Sequence, residues 1–245
     1  MSSSGLTVAS YNIKSLDIST TQVIKVLREL DADLVAIQEV PRRFRKYARM
    51  RDVARAAGYE VIVSGGYLLG AVTCAILAKP AVARSVVSAG HKVLPLDPWL
   101  WSSYWKAHGL RWMSRRGFGY VDLGDYVFIG VHMGLAPDER TMHRNIMLNF
   151  IKDMGPHRCI VAGDINEGPG EPSWRAFERP LRDSLFDVTH DGGAREFFTF
   201  PTRRPKRRID AIFVGSSIEV SDFRVHTSAA TALASDHLPI LAKVR

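Results

Sequence analysis

The chain has 245 residues, of which 46% are hydrophobic, and 33 Lys and Arg against 25 Asp and Glu leave a formal charge of +8 and a pI near 9.7. That length and apolar content suffice for one large domain over 1–245, and no linker, repeat or low-complexity tract divides it. The N-terminal Met1-Ser2-Ser3-Ser4-Gly5 lacks the basic and apolar regions of a signal peptide, no apolar run is long enough to span a bilayer, and the excess of positive charge favours a polyanionic partner.

Residues 6–12 read as a strand, and Ser19 with Gln22 resembles a capping box opening a helix whose apolar positions are Val23, Val26, Leu27 and Leu30. Leu34–Gln38 is a continuous apolar strand of the kind buried on both faces. Pro41 opens a basic helix running to about Ala57, with Gly58 as its stop. Strands at 59–63 and 71–78 follow, separated by Ser64-Gly65-Gly66. From His91 to Arg115 no period holds, and Trp99, Trp101, Tyr104, Trp105 and Trp112 crowd among basic residues in what reads as a long excursion. A hairpin joins Phe118–Asp122 to Tyr126–His132. Pro137 then starts a helix with Met142, Ile146 and Phe150 as its stripe. A strand at 159–163, a short helix at 172–177 and strands at 208–214, 218–226 and 239–244 complete the chain. Alternating strands and helices, with several strands joined by short turns, imply two packed mixed sheets flanked by helices. Cys74 and Cys159 both fall in apolar strands and read as buried thiols rather than a disulfide, which fits a reducing, cytoplasmic setting and a monomer.

Polar residues recur at the strand ends: Asn12, Glu39, His132, Asp164 with Asn166, Asp210, and the pair Asp236-His237. Hydrolysis of a phosphate ester needs cations beside the non-bridging and leaving oxygens and an oriented water. Hard oxygen donors such as Glu39 and Asp236 suit Mg²⁺, and no Cys/His cluster for zinc is present. Asp164 and Asn166, two residues apart at a strand exit, suit the orientation and deprotonation of a water. His237 suits phosphate contact or proton transfer, with Asp210 holding its tautomer.

Six segments, Ser10-Tyr11-Asn12-Ile13, Ile37-Gln38-Glu39-Val40, Gly130-Val131-His132, Ala162-Gly163-Asp164-Ile165-Asn166, Arg208-Ile209-Asp210 and Ser235-Asp236-His237-Leu238-Pro239, occur in the order of the endonuclease/exonuclease/phosphatase superfamily, which the chain resembles nearly end to end. The resemblance implies a four-layer α/β sandwich and a phosphoesterase dependent on Mg²⁺, or Mn²⁺ in its place. By the same likeness Glu39 is the principal metal ligand with Asp236 near it; Asn12, Asp164 and Asn166 surround metal, phosphate and water; His237 pairs with Asp210; and His132 contacts the phosphate or aids the leaving group. Arg116 resembles the family's phosphate-binding arginine, with Arg115 the other candidate. Lys14 and Met133-Gly134-Leu135-Ala136 depart from the pattern of bacterial abasic-site endonucleases and point to a generic branch.

A nuclease, with DNA the favoured partner, is the leading reading. Two basic runs support it: the helix face with Arg42, Arg43, Arg45, Lys46, Arg49, Arg51 and Arg55, and Arg203, Arg204, Lys206, Arg207 and Arg208 just before Asp210. The tryptophans admit a packed lid, stacking faces for unpaired bases, or a dip into an anionic lipid surface. A phospholipid or phosphoinositide phosphoesterase and a non-catalytic nucleic-acid-binding module are the rival readings.

Overall fold

Alternation along each buried strand divides its side chains between two cores, and that division positions everything else. The computed structural model describes residues 5–41, 44–65, 74–95, 116–189 and 195–245, with 44–49 described for the backbone only. One six-stranded sheet runs in the order β11-β12-β1-β2-β4-β3 and the other in the order β5-β6-β7-β8-β10-β9. In the first, the strands are β1 (Leu6–Asn12), β2 (Leu34–Gln38), β3 (Glu60–Val63), β4 (Ala75–Ala78), β11 (Val220–Val225) and β12 (Ile240–Val244). In the second they are β5 (Ser88–Val93), β6 (Gly117–Asp122), β7 (Val127–His132), β8 (Cys159–Asp164), β9 (Arg182–Asp183) and β10 (Asp210–Val214). Each sheet has one parallel pair at its centre, β1 with β2 and β7 with β8, flanked by antiparallel neighbours in the same order.

Successive strand side chains point to opposite faces. Val8, Leu34, Ala36, Phe128, Ile160, Ala162, Ile212 and Ala242 meet between the sheets. Ala9, Tyr11, Val35 and Ile37 face outward under helices α1 (Thr20–Leu30) and α2 (Phe44–Ala56). Val127, Ile129, Val131, Val161 and Phe213 face the other way, under α4 (Pro137–Met154) and α5 (Pro172–Phe177). Short helices α3 (Pro80–Ala83), α6 (Ser184–Val188) and α7 (Thr231–Ala234) complete the set. The expected sandwich of two mixed sheets flanked by helices is the architecture observed.

Local chemistry explains the element ends. The Ser19 side chain accepts a hydrogen bond from the Gln22 amide and caps α1 as expected. Gly58 follows α2 at φ +87°, a conformation that glycine takes at no steric cost. Gly163 lies so close to β7 that a Cβ would run into the Val131 carbonyl oxygen, so only glycine lets β8 seat beside β7 next to Asp164.

Three expectations change. The buried stripe of α4 is His143, Met147, Phe150 and Ile151, with Met142 and Ile146 only partly covered, because the helix is rotated toward β7 and β8 from the stripe read in the sequence. β5 has no counterpart in the expected elements: it is a sheet-edge strand with mostly exposed residues, so no apolar alternation marks it. Arg208 does not join the basic surface run; it turns inward to a bidentate pair with Asp183 at 2.6 and 2.8 Å, over the Trp174 ring at 4.9 Å. The tryptophan run from Trp99 to Trp112 and Arg115 lie outside the described residues.

The Arg208–Asp183 pair is sealed, with side-chain exposures of 1% and 0%. Removing one partner of such a pair leaves an uncompensated buried charge and costs about 3–5 kcal/mol, whereas replacing both with apolar residues is often neutral. Asp183→Ala is therefore expected to lower stability by about 3–5 kcal/mol in urea denaturation, and Asp183→Leu with Arg208→Met to recover most of that loss.

Candidate active site

The same alternation that fills the inter-sheet core places polar side chains at its open end. Asn12 continues the face of Val8, Asp164 that of Ile160 and Ala162, His132 that of Phe128, and Asp210 that of Ile212. Register aligns them in a row: His132 is opposite Asp164 in the parallel β7–β8 pair, and Asp210 is opposite Asp164 in the antiparallel β8–β10 pair. Asn12 pairs with Gln38, so Glu39 emerges beside it. Asp236 and His237 come in just before β12.

Asp164 is where these arrivals meet. Its Oδ2 accepts from Asn12 Nδ2 at 3.2 Å, and lies 3.4 Å from His132 Nε2 and 3.8 Å from His237 Nε2. Its Oδ1 accepts from the Asn166 amide at 2.9 Å. The Asn166 side chain donates to the Met133 carbonyl at 2.9 Å, tying the β8 exit to the β7 exit. With an exposure of only 2%, this carboxyl is pushed up to about 6 by burial, a shift opposed by the charge of His237 and reinforced by Asp210.

His237 Nδ1 lies 3.0 Å from Asp210 Oδ2, so the proton of that contact is carried on the imidazole and Nε2 faces Asp164. Burial opposes its charged form, yet the carboxylates of Asp210, Asp164 and Asp236 outweigh burial and push the imidazole up to about 10. The Phe200 ring packs on it with centroids 4.8 Å apart. Arg116 donates to His132 Nδ1 at 2.7 Å, which leaves the His132 proton on Nε2, toward Asp164.

The sequence-derived set thus converges, with two of its members in unexpected company. Asn12 turns its amide hydrogens to Glu39 Oε1 at 3.3 Å and to Asp164, while its Oδ1 accepts from the Lys14 backbone. Asp236 points its Oδ2 at Lys14 Nζ, 2.6 Å away. Lys14, Ser15 and Leu16 all have positive φ, at 46°, 55° and 59°. A left-handed conformation costs a non-glycine residue roughly 1–2 kcal/mol, so this turn is held by its surroundings. The Ser15 amide donates to the Glu39 carbonyl at 2.9 Å, and Glu39 itself sits at φ 52°.

Supporting roles escaped the sequence reading. Ser235 Oγ donates to the Asn12 carbonyl at 2.6 Å and accepts from the His237 amide at 3.3 Å, joining the two motifs. Glu167, next to Asn166, accepts from Arg140 at 2.7 Å and from the Ser173 amide at 2.6 Å. Ser235 belongs to the segment Ser235-Asp236-His237 but carried no role there, and the only sequence signal for Glu167 was adjacency to Asn166.

A hard divalent cation fits the donors present. Glu39 is half-buried, and among the described residues it has no ion pair with a basic side chain, while Asn12 Nδ2 links its carboxylate to that of Asp164 and Asn12 Oδ1 is taken by the Lys14 amide. Asp164, Asp210 and His237 also approach one another closely enough to hold a metal, with ligand atoms within 4.8 Å, but the His237–Asp210 hydrogen bond and the His237–Asp164 ion pair already balance charge there.

No curated protein sequence matches the chain. Solved structures match its fold: an endonuclease/exonuclease/phosphatase from Bacteroides vulgatus at 18% identity and a TM-score of 0.74, covering 98% of each chain. A mannosyl-6-phosphatase from Bacteroides thetaiotaomicron aligns at 23% identity and a TM-score of 0.69 over 98% of this chain and 99% of its own. A 3′ phosphatase from Neisseria bound to a product DNA hairpin aligns at 18% and 0.68, over 98% and 99%. The description Endonuclease/Exonuclease/phosphatase family matches residues 9–237, a span that begins in β1 beside Asn12 and ends on His237. The chain therefore belongs to the endonuclease/exonuclease/phosphatase family, whose members hydrolyse phosphate esters.

Proposed function

We propose that the chain is a divalent-metal-dependent nuclease that hydrolyses phosphodiester bonds, DNA being the favoured substrate. The observation that carries this reading is the loop after residue 198. Phe200 packs on His237, the Thr202 amide donates to the Asp236 carbonyl at 2.8 Å, and Phe200 pairs across to Arg207. From that base Arg203, Arg204 and Lys206 reach solvent beside the site. Such an arm suits a backbone with further phosphates beyond the one being cleaved, which a small phosphate ester does not have. Of the basic helix face, Arg51 and Arg55 are exposed. The lipid reading rested on the tryptophans outside the described residues and has no comparable support.

Glu39 would hold Mg²⁺ or Mn²⁺, its carboxylate positioned by the hydrogen bond from Asn12 Nδ2. Such a cation neutralises charge that builds on the phosphate oxygens as the ester bond breaks. Asp164, ionised at neutral pH and lying beneath the cleft between Asn12 and His237, orients a water and takes its proton. The water oxygen bonds to phosphorus, the ester bond breaks, and the leaving oxygen takes up a proton from solvent. His237, positively charged and braced by Asp210, donates from Nε2 to a non-bridging oxygen. Arg116, which among the described residues donates only to His132, offers its other N–H groups to the same phosphate.

Glu39→Gln and His237→Ala should each lower Mg²⁺-dependent cleavage of single-stranded or plasmid DNA by at least about 10²-fold with the fold intact by circular dichroism. Full activity in either variant would overturn the assignment. Replacing Arg203, Arg204 and Lys206 with alanine should flatten the log–log dependence of DNA affinity on salt by about 2–3 and weaken action on DNA far more than on a small phosphate ester. An equal loss on both substrates would favour a small-molecule phosphatase.

The imidazole gives a pH signature. Because the folded-state value of His237 lies near 10, above the ordinary 6.5, its contribution to stability is fully present below about 6.5 and is lost as pH rises through about 10. Imidazole resonances followed by NMR should show His237 still protonated at pH 8, and Asp210→Asn should lower its midpoint and flatten the fall in stability between pH 7 and 10.

A further inference from the structure

We propose that Lys14 is a built-in counter-ion that withdraws Asp236 from the divalent cation, so that Glu39 alone among the site carboxylates sets metal affinity and the site holds one weakly bound ion. The inference rests on the metal-dependent reading above. It stands on the placement of charges rather than on the family pattern, in which Asp236 is expected near the metal.

Asp236 Oδ2 is 2.6 Å from Lys14 Nζ, and its Oδ1 lies 3.5 Å from Ser235 Oγ. Side-chain exposures of 43% for the lysine and 32% for the aspartate put the pair at the rim of the cleft. A rim pair between freely moving side chains would be of little consequence. This one grows from a backbone fixed on both sides: the Lys14 amide donates to Asn12 Oδ1 at 3.1 Å and the Ser15 amide to the Glu39 carbonyl at 2.9 Å. Three successive left-handed residues form the turn that carries the ammonium to Asp236. The same turn therefore bonds to Asn12 and Glu39 by its backbone and to Asp236 by its side chain.

Charge is shared out accordingly. Asp210 has His237 as its cationic partner and Asp236 has Lys14, whereas Glu39 has no ion pair among the described residues. A divalent ion entering the cleft gains most from Glu39 and meets an ammonium at Asp236. Divalent-cation affinity follows the number of carboxylates in the site, so releasing Asp236 should tighten binding.

The test is Mn²⁺ titrated into the full chain without substrate, free Mn²⁺ being read by electron paramagnetic resonance. Lys14→Met should tighten binding by about tenfold, and Asp236→Asn alone, which leaves the ammonium uncompensated, should weaken it by no more than about tenfold. Combining the two should return affinity to the wild-type value, and Glu39→Gln should abolish binding. Lys14→Gln gives the same reading if the methionine variant does not fold, and Lys14→Arg should keep wild-type affinity. Unchanged affinity in both Lys14→Met and Lys14→Gln, or a loss in Asp236→Asn as deep as that in Glu39→Gln, overturns the proposal. Mn²⁺ binding untouched by Glu39→Gln would instead remove the metal reading beneath it, and loss of DNA cleavage with the Mn²⁺ pattern intact would remove only the nuclease assignment.

Discussion

The carboxylate of Asp164 is the point on which the two sheets must agree. Asn12 reaches it from the first sheet, His132 from the neighbouring strand of the second, and His237 from the segment entering β12. None of these contacts survives a one-residue slip of either sheet, because a slip turns every side chain to the opposite face. The apolar inter-sheet packing that fixes the register is therefore also what assembles the polar site, and folding and chemistry share one geometric requirement.

Burying that carboxylate is unfavourable unless donors surround it, and the site supplies them at graded distances. Asn166 and Asn12 give neutral donors, while His237 gives charge that Asp210 stabilises from behind. Away from the cleft the same rule operates in the Arg208–Asp183 pair, where a cation that the charge count would assign to the surface serves the interior. Because that pair removes one charge of each sign, it leaves the formal +8 unchanged, and beside the site exposed positive charge is carried by Arg203, Arg204 and Lys206.

Strain is concentrated at the mouth. Lys14, Ser15 and Leu16, together with Glu39 and Asn166, take left-handed backbone conformations although none is glycine. Left-handed residues turn the chain out of the strand direction at these exits, and the bonds from Ser15 to Glu39 and from Asn166 to Asp164 hold them in place. The inter-sheet core offsets the cost of these conformations.

The strand-end polar set was legible because each member borders an apolar run, and the family order tied the runs together. Strand parity could have been counted from the sequence as well, since Asn12, Asp164 and Asp210 stand at even spacing from Val8, Ile160 and Ile212. What the sequence by itself determined is the kind of chemistry: carboxylates, amides and imidazoles at the ends of buried strands in a basic chain. Tertiary structure alone decided which charges meet. Lys14 finds Asp236 across more than two hundred residues of sequence, Arg208 turns inward to Asp183, and the rotation of α4 selects Met147 over Ile146. Local pattern specifies which face of an element is apolar, but pairing of charges depends on distances set when the sheets close on each other, and no local pattern carries those.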